Sequence, residues 1–154
     1  MTAEIKFGTD GWRAIIAEDF TFENVRVCAQ AAADYLKGAG LDNRGMVIGY
    51  DTRFASEDFA SAAAEVATAN DIKVLLCDRA APTPVISYAI LKHNAGGGII
   101  ITASHNSGKW NGFKYKQNDA RSASPEVIAE LESGIARIQS GEIIKRMPID
   151  EAIA

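Results

Sequence analysis

The sequence predicts a three-layer α/β/α domain with a mostly parallel, possibly mixed sheet of about four strands. Short apolar runs rich in β-branched residues alternate with longer segments in which apolar residues recur at helical spacing. Several of these runs lead directly into glycine or small polar residues, which is typical of strands that are followed by loops and helices. The 154 residues, 47% of them hydrophobic, are enough to bury one core.

The first half of the chain contains two candidate strands, each followed by a loop and a helix. Residues 5–7 form a short strand candidate, and Thr21 is expected to cap a helix that ends at two nearby glycines. Residues 46–50 form a buried strand that leads into the polar loop 51–53. Ser56, with two carboxylates behind it, then begins a second helix.

The second half continues this alternation, which indicates a mostly parallel sheet. Residues 73–77 are the third strand, and Thr83 is expected to cap a helix with proline at its first position. Residues 98–102 are the fourth strand, and we interpret residues 113–116 as an added antiparallel strand at the sheet edge. Ser124 begins the last amphipathic helix.

The domain is expected to span residues 1–141, because residues 142–154 show no core pattern of their own. We interpret 142–154 as a linker or an edge element without its partner, so the chain is expected to be part of a larger enzyme. The chain lacks the roughly 20 consecutive apolar residues of a membrane helix and a secretory signal. We therefore expect a cytoplasmic protein with reduced cysteines and no membrane contact.

The most informative segment is 96–114, where a β-branched run gives way to small polar residues just before Ser104. Open α/β sheets bind ligands at such strand ends. The segment 104–121 contains four basic residues against one acidic residue, although the whole chain has a net charge of −4. A positive island with glycines around it, in an acidic chain, indicates a bound phosphate rather than nucleic acid.

Polar loops follow three of the strand ends, so Arg13, Arg53, Ser104 and Lys114 are expected to converge at one edge of the sheet. Taken alone, Ser104 has a simpler explanation, because serines after strands often cap turns. The flanking residues lack the glycines of a hydrolase nucleophile elbow, and the chain has no nucleotide phosphate loop.

Three motifs resemble the α-D-phosphohexomutase family, which includes phosphoglucomutases and phosphomannomutases. They are FGTDGWR at 7–13, GYDTR at 49–53, and TASHN at 102–106 with NGFK at 111–114. Their order and spacing are similar to the first of the family's four domains, over essentially the whole chain. The family usually has proline after its serine-histidine-asparagine, whereas Ser107 and Gly108 follow here and predict a looser turn.

The resemblance implies that Ser104 carries a phosphoryl group, with a charge of about −1.5 to −2, and passes it to a free hydroxyl of a hexose phosphate. The sugar bisphosphate then turns around and returns its other phosphate, so that phosphate moves between the 1- and 6-hydroxyls of glucose or mannose. The resemblance also implies Mg²⁺, bound between the phosphoserine and an Asp-Gly-Asp-x-Asp-Arg cluster of a second domain. That cluster is absent here, so Ser104, through its phosphate, is the one metal ligand expected from this chain, and the isolated chain is expected to be inactive.

The resemblance also implies roles for residues around the serine. Arg13 is expected near the transferring phosphoryl group, and Lys114 is expected to act as general acid or base. The alternatives are a surface cation for Arg13 and a solvated edge lysine for Lys114. His105 either contacts the phosphate or only shapes the loop. Phosphate binding or loop support is expected of Asp10, Arg53, Asn106, Lys109, Asn111 and Gly112. From the adjacency of their loops alone, we also expect an ion pair between Asp10 and Arg53.

Two other functions are compatible with the residues alone. A non-catalytic anion-binding module would keep the loop but leave Ser104 unmodified. A small sugar phosphatase that uses Ser104 would hydrolyse phosphate esters without any further domain.

Overall fold

The computed structural model describes residues 3–8 and 10–152. The strands are β1 (Trp12–Ile15), β2 (Met46–Tyr50), β3 (Val74–Leu76), β4 (Gly97–Ile101) and β5 (Trp110–Gln117). The helices are α1 (Phe22–Gly38), α2 (Ser56–Ala69), α3 (Thr83–Lys92), α4 (Pro125–Gln139) and α5 (Ile149–Ala152), with a short 3-10 helix at Asp42–Arg44.

The strands form one mixed sheet in the order β1-β5-β4-β2-β3. β2 runs parallel to both β3 and β4, whereas β5 runs antiparallel to β4 and β1. The predicted α/β class is confirmed, and the sheet has five strands rather than about four. β5 lies in the interior of the sheet, so the edge position predicted for residues 113–116 was wrong.

The two faces of the sheet are covered unequally. On β4, Ile99 points into the larger core beneath α1, α2 and α4, as expected from the alternation of side chains along a strand. Its neighbour Ile100 points to the other face and packs with Val47, Ile86 and Ile90 beneath α3. The three layers of the prediction are therefore present.

The predicted cap at Thr21 is formed, and the predicted cap at Thr83 is not. The Thr21 hydroxyl accepts a hydrogen bond from the Asn24 N–H at 3.2 Å, and Ser124 caps α4 in the same way. Thr83 is not a cap but the first residue of α3, because the first helical N–H groups donate to the Pro82 carbonyl instead.

Residues 5–7 form no strand, which corrects the first element of the prediction. Ile5 and Phe7 are buried, but the Phe7 N–H donates to the Glu132 carboxylate of α4 at 2.8 Å rather than to a neighbouring strand. The strand at this end of the chain is β1, where Trp12 pairs with Phe113.

The segment after α4 folds back over α1 and α2, so it is not an edge element of the sheet. The Lys145 N–H donates to Gln30 Oε1 at 3.0 Å, the Met147 N–H donates to the Glu65 carbonyl at 3.1 Å, and α5 packs against α2. Residues 153 and 154 of the predicted linker, residues 1 and 2, and Thr9 of the first motif lie outside the described residues. None of the described helices has both the length and the apolar character needed to cross a bilayer.

Candidate functional site

Ser104 lies three residues after the end of β4, and its side chain is exposed at the edge of the sheet. Its φ of 57° falls in the left-handed region, which a residue with a Cβ adopts only when its surroundings hold it there. The Ser104 N–H donates to Thr102 Oγ1 at 3.0 Å and contributes to holding this bend. The hydroxyl is therefore presented to solvent by a constrained backbone.

The loop that carries Ser104 is tied to Arg53. The terminal N–H groups of Arg53 donate at 2.6–3.0 Å to the main-chain carbonyls of Ser104, Asn106, Ser107 and Trp110. The remaining guanidinium nitrogen, Nε, lies 3.2 Å from a carboxylate oxygen of Asp51. We call Arg53, Asp51 and these four carbonyls the Arg53 clamp. It engages the four terminal N–H groups of the guanidinium in hydrogen bonds and places a carboxylate beside the fifth.

A second set of hydrogen bonds connects the clamp to β5. Asp51 Oδ1 accepts from the Arg53 N–H and from the Ser56 hydroxyl, both at 2.9 Å. The Ser56 oxygen in turn accepts from the amide of Asn111 at 2.9 Å, and Asn111 is completely buried. The loop after β2 and the start of β5 are thereby held together around the serine loop.

A cluster of charged groups lies beside the clamp, around Asp10. The carboxylate accepts from Lys114 Nζ at 2.5 Å and from the Ser122 hydroxyl at 3.1 Å, and it lies 3.8 Å from Lys116 Nζ and 4.0 Å from Arg13. We call these five residues the Asp10 cluster. Burial by itself raises the pKa of Asp10, but the hydrogen bond and charge of Lys114, with Ser122 and Lys116, leave that pKa below its ordinary value.

The predicted ion pair between Asp10 and Arg53 is wrong. Arg53 pairs with Asp51, which is two residues away on the same loop, and Asp10 is occupied by Lys114. Lys114 is also not a solvated edge lysine, because β5 is an interior strand and 6% of the lysine side chain is exposed.

Asn106 connects the clamp with the Asp10 cluster. Its side-chain oxygen accepts from Arg13 Nη1 at 2.8 Å, while its main-chain carbonyl accepts from Arg53. The structure therefore brings the serine loop, Arg13, Arg53 and Lys114 together at the end of the sheet where β2 and β4 finish.

The remaining predicted residues lie on or beside the same loop. His105 and Lys109 have exposed side chains, and the Lys109 carbonyl accepts from the Ile16 N–H at 2.9 Å. A Cβ at Gly112 would lie 2.5 Å from the Thr102 carbonyl oxygen, so this position accommodates no side chain without a shift of the backbone. Among residues 3–8 and 10–152, His, Cys, Asp and Glu side chains form no group of three that could hold a metal ion.

Comparison with known proteins gives the family of the chain. The family model for phosphoglucomutase/phosphomannomutase, alpha/beta/alpha domain I, matches residues 4–142. The chain belongs to this family. The resemblance seen in the motifs is thereby confirmed, and the match covers every element of the sheet.

Relatives carry mutase names but are much longer. The chain is 32% identical to a phosphoglucomutase of Komagataeibacter xylinus, over 99% of this chain and 29% of the relative. It is 36% identical to a phosphoglucosamine mutase of Finegoldia magna, over 82% of this chain and 27% of the relative. A crystal structure assigned as a phosphomannomutase, from Thermus thermophilus, has a TM-score of 0.82 at 35% identity, over 88% of this chain and 30% of that one. The chain thus spans less than a third of these proteins.

Sequence reasoning missed three residues that shape this candidate site. Asp51 and Ser56 hold Arg53 and Asn111, and Ser122 binds both Asp10 and Lys116. A signal was present for Asp51, because a carboxylate and an arginine within one motif can form a charge-assisted pair. Ser122 had no comparable signal.

Proposed function

We propose that this chain is the phosphoserine-bearing first domain of a phosphohexomutase. Ser104 would accept and return the phosphoryl group that moves between the 1- and 6-hydroxyls of a hexose phosphate, through a sugar bisphosphate intermediate. The observation that carries this proposal is the exposed Ser104 hydroxyl, which lies on a clamped loop beside Arg13 and Lys114.

The charge of the surroundings supports a phosphoryl group on this serine. In the Asp10 cluster, three cations and one carboxylate leave a net charge of +2 (3 − 1). A phosphoserine carries about −1.5 to −2 at neutral pH, so the cluster would balance it. Arg13 is the cation connected to the serine loop, because it donates to Asn106. We therefore assign Arg13 to contact with the transferring phosphoryl group.

The transfer is a displacement at phosphorus. A hydroxyl oxygen of the sugar attacks the phosphorus atom while its proton passes to a base, and the bond between phosphorus and Ser104 Oγ breaks while that oxygen takes up a proton. The return step reverses each change with the other phosphate of the bisphosphate. We assign the proton transfer to Lys114, which is buried and held by Asp10.

Mg²⁺ is part of the proposal, with one ligand from this chain. Oxygen atoms are the ligands that Mg²⁺ prefers, and a phosphate oxygen on Ser104 fits that preference. Because the described residues form no cluster of three candidate ligands, the other protein ligands would come from another domain. When bound, the ion would neutralise charge on the transferring phosphoryl group.

The substrate class follows from the relatives and stays at the level of a hexose phosphate. Their names refer to glucose, glucosamine and mannose phosphates, so glucose or mannose remains the prediction made from the sequence. The partners in the proposal are the sugar phosphate and the remaining domains of the same polypeptide. The cytoplasmic location also stays a prediction.

A chimaera tests the proposal. The segment of the K. xylinus phosphoglucomutase that matches this chain is replaced by the chain, and conversion of glucose 1-phosphate to glucose 6-phosphate is measured. We expect turnover by the chimaera, and a loss of at least about 10³-fold in kcat for Ser104→Ala. The matched control is Ser107→Ala, an exposed serine of the same loop, which should stay close to the unmodified chimaera.

Two outcomes would contradict the proposal. Turnover that survives in Ser104→Ala would remove the serine from the chemistry. A folded chimaera without turnover, and without phosphoryl on Ser104, would favour the anion-binding module. Hydrolysis of a sugar phosphate by the 154-residue chain alone would favour the phosphatase.

A further inference from the structure

We propose that Arg53 is a positioning residue for phosphoryl transfer. It fixes the backbone of the Ser104 loop and does not bind the phosphoryl group. All four terminal N–H groups of its guanidinium donate to carbonyls of residues 104–110, and Nε faces Asp51. No terminal N–H group of this arginine is left for an anion, and the Asp51 carboxylate lies beside Nε. Its action on the reaction passes through the backbone that carries Ser104.

This arrangement controls the direction of the four carbonyl groups that bind Arg53. Carbonyl oxygens repel the oxygens of a phosphoryl group, whereas main-chain N–H groups bind them. Four carbonyls of one short loop are bound to Arg53 and are thereby kept away from the Ser104 side chain. Within the described residues, the N–H groups of His105, Ser107 and Gly108 donate to no protein acceptor. They remain available to phosphoryl oxygens on Ser104.

An arginine is required for this geometry. Its planar fork presents donors from two terminal nitrogens, and here each of these nitrogens binds two carbonyls. A lysine carries the same charge but presents three donors from one atom. Arg53→Lys therefore preserves the charge and removes the geometry.

The clamp also explains how the loop is held without proline after Asn106. The Ser107 carbonyl accepts from Arg53 Nη1 at 2.9 Å and from the Trp110 N–H at 3.0 Å, so the turn at Ser107 is closed by two hydrogen bonds. The Ser107 N–H has no protein acceptor among the described residues, so a proline there would break no protein hydrogen bond. Ser107→Pro should therefore replace part of the rigidity that Arg53 supplies.

Nuclear magnetic resonance on the full 154-residue chain tests this role. Phosphoserine is incorporated at position 104 during synthesis, and amide proton shifts are compared with those of the unmodified chain at one fixed pH. We expect the amide signals of His105, Ser107 and Gly108 to move downfield on phosphorylation, as N–H groups do when they bind phosphate oxygens. In Arg53→Lys these shifts should be much smaller, and exchange of the Asn106 and Trp110 amides should be about 10-fold faster.

Arg79→Lys is the matched control, because Arg79 is exposed and pairs with its neighbour Asp78. It should leave every loop signal unchanged. Arg53→Lys combined with Ser107→Pro should recover part of the phosphorylation shifts of His105 and Gly108, because a proline at position 107 has no amide proton of its own. If Arg53→Lys does not fold, Asp51→Asn takes its place, because it removes the charge beside Nε and should reduce the same shifts by a smaller amount.

Equal phosphorylation shifts in the chain without substitutions and in Arg53→Lys, or in Asp51→Asn where that variant replaces it, would overturn the role of Arg53. If phosphorylation causes no downfield shifts in the chain without substitutions, the role is also overturned. The nature of the anion on Ser104 rests on the proposed function, whereas the position of Arg53 does not. Because phosphoserine is incorporated when the chain is synthesised, these shifts do not depend on turnover by the chimaera. The two proposals can therefore fail separately.

Discussion

The Arg53 clamp and the Asp10 cluster both lie next to the Ser104 loop, but they constrain different features of the site. The clamp binds main-chain carbonyls and so fixes the path of the loop. The Asp10 cluster gathers side-chain cations around one carboxylate and so fixes the position of charge. A hydrogen bond from a guanidinium to a carbonyl needs no titrating partner, whereas the ion pairs of Asp10 are lost on its protonation. The position of the loop and the charge beside it therefore depend mainly on different groups, which Asn106 connects.

The central residues of the two groups, Arg53 and Asp10, also differ in exposure to solvent. The Arg53 side chain is 12% exposed, whereas Asp10 is 39% exposed. Solvent screens an exposed ion pair and reduces its contribution to stability. Mutations in the clamp should therefore have the larger effects.

The largest effect is expected for Arg53→Ala. This change leaves four carbonyls and the Asp51 carboxylate without their donor, so the free energy of unfolding should fall by about 3 kcal/mol. Urea unfolding followed by circular dichroism measures it. Arg79→Ala is the control and should stay within about 0.5 kcal/mol of the unmodified chain. Equal losses in the two variants would show that the clamp does not stabilise the loop.

Gly112→Ala tests the strand that joins the two groups. A Cβ at this position meets the Thr102 carbonyl, so β4 and β5 must separate and stability should fall by about 2 kcal/mol. Gly108→Ala is the matched control, because nothing lies within 4 Å of a Cβ there. If both variants unfold at the same urea concentration, close packing at Gly112 is not a constraint.

A smaller effect is expected for Lys114→Met in the Asp10 cluster. The buried stem is preserved and the ammonium is lost, while Lys116 and Arg13 still face Asp10. We expect a loss of about 1 kcal/mol in the free energy of unfolding, measured with urea. Lys109→Met, at an exposed position, should change it by less than about 0.5 kcal/mol. A loss larger than that of Arg53→Ala would reverse the order of the two groups.

The smallest effect at neutral pH, below about 1 kcal/mol, is expected for Asp10→Asn, because solvent screens this carboxylate. Its signature is in the pH dependence. Because the pKa of Asp10 is lower in the folded chain, its contribution is present above its unfolded pKa. That contribution is lost as pH falls below about 5 and through the folded pKa.

Urea midpoints between about pH 6 and pH 2 measure this difference. The unmodified chain should lose more stability than Asp10→Asn as the pH falls, and Arg53→Ala should lose as much as the unmodified chain. If Asp10→Asn loses as much stability as the unmodified chain, the carboxylate is not stabilised by its cations.

The sequence predicts β2 and the start of α2 because a continuous apolar run and a run of carboxylates are local signals. It misses β1, whose four residues include one charge and whose partner, β5, lies about 100 residues away. It also pairs Asp10 with the wrong arginine. Strand order decides that pairing, because β5 lies beside β1 and places Lys114 next to Asp10.

The approach of the loops to one sheet edge follows from the motifs, but the partner of each side chain does not. The four carbonyls that bind Arg53 belong to the backbone, which has no sequence signature. The segment after α4 docks through polar contacts to Gln30 and Glu65 and through Ile144 and Ile149, which pack against the larger core. Two isolated apolar residues are too few to form a pattern that the sequence reveals.

The central claim is that the Ser104 hydroxyl holds a phosphoryl group during transfer, and peptide mapping by mass spectrometry tests it most directly. The chimaera is incubated with hexose 1,6-bisphosphate, digested and mapped. We predict one added phosphoryl group, on Ser104, and none on this loop in Ser104→Ala. A phosphoryl group on His105 or Ser107 instead, or turnover without any phosphorylated residue in this chain, would contradict the account.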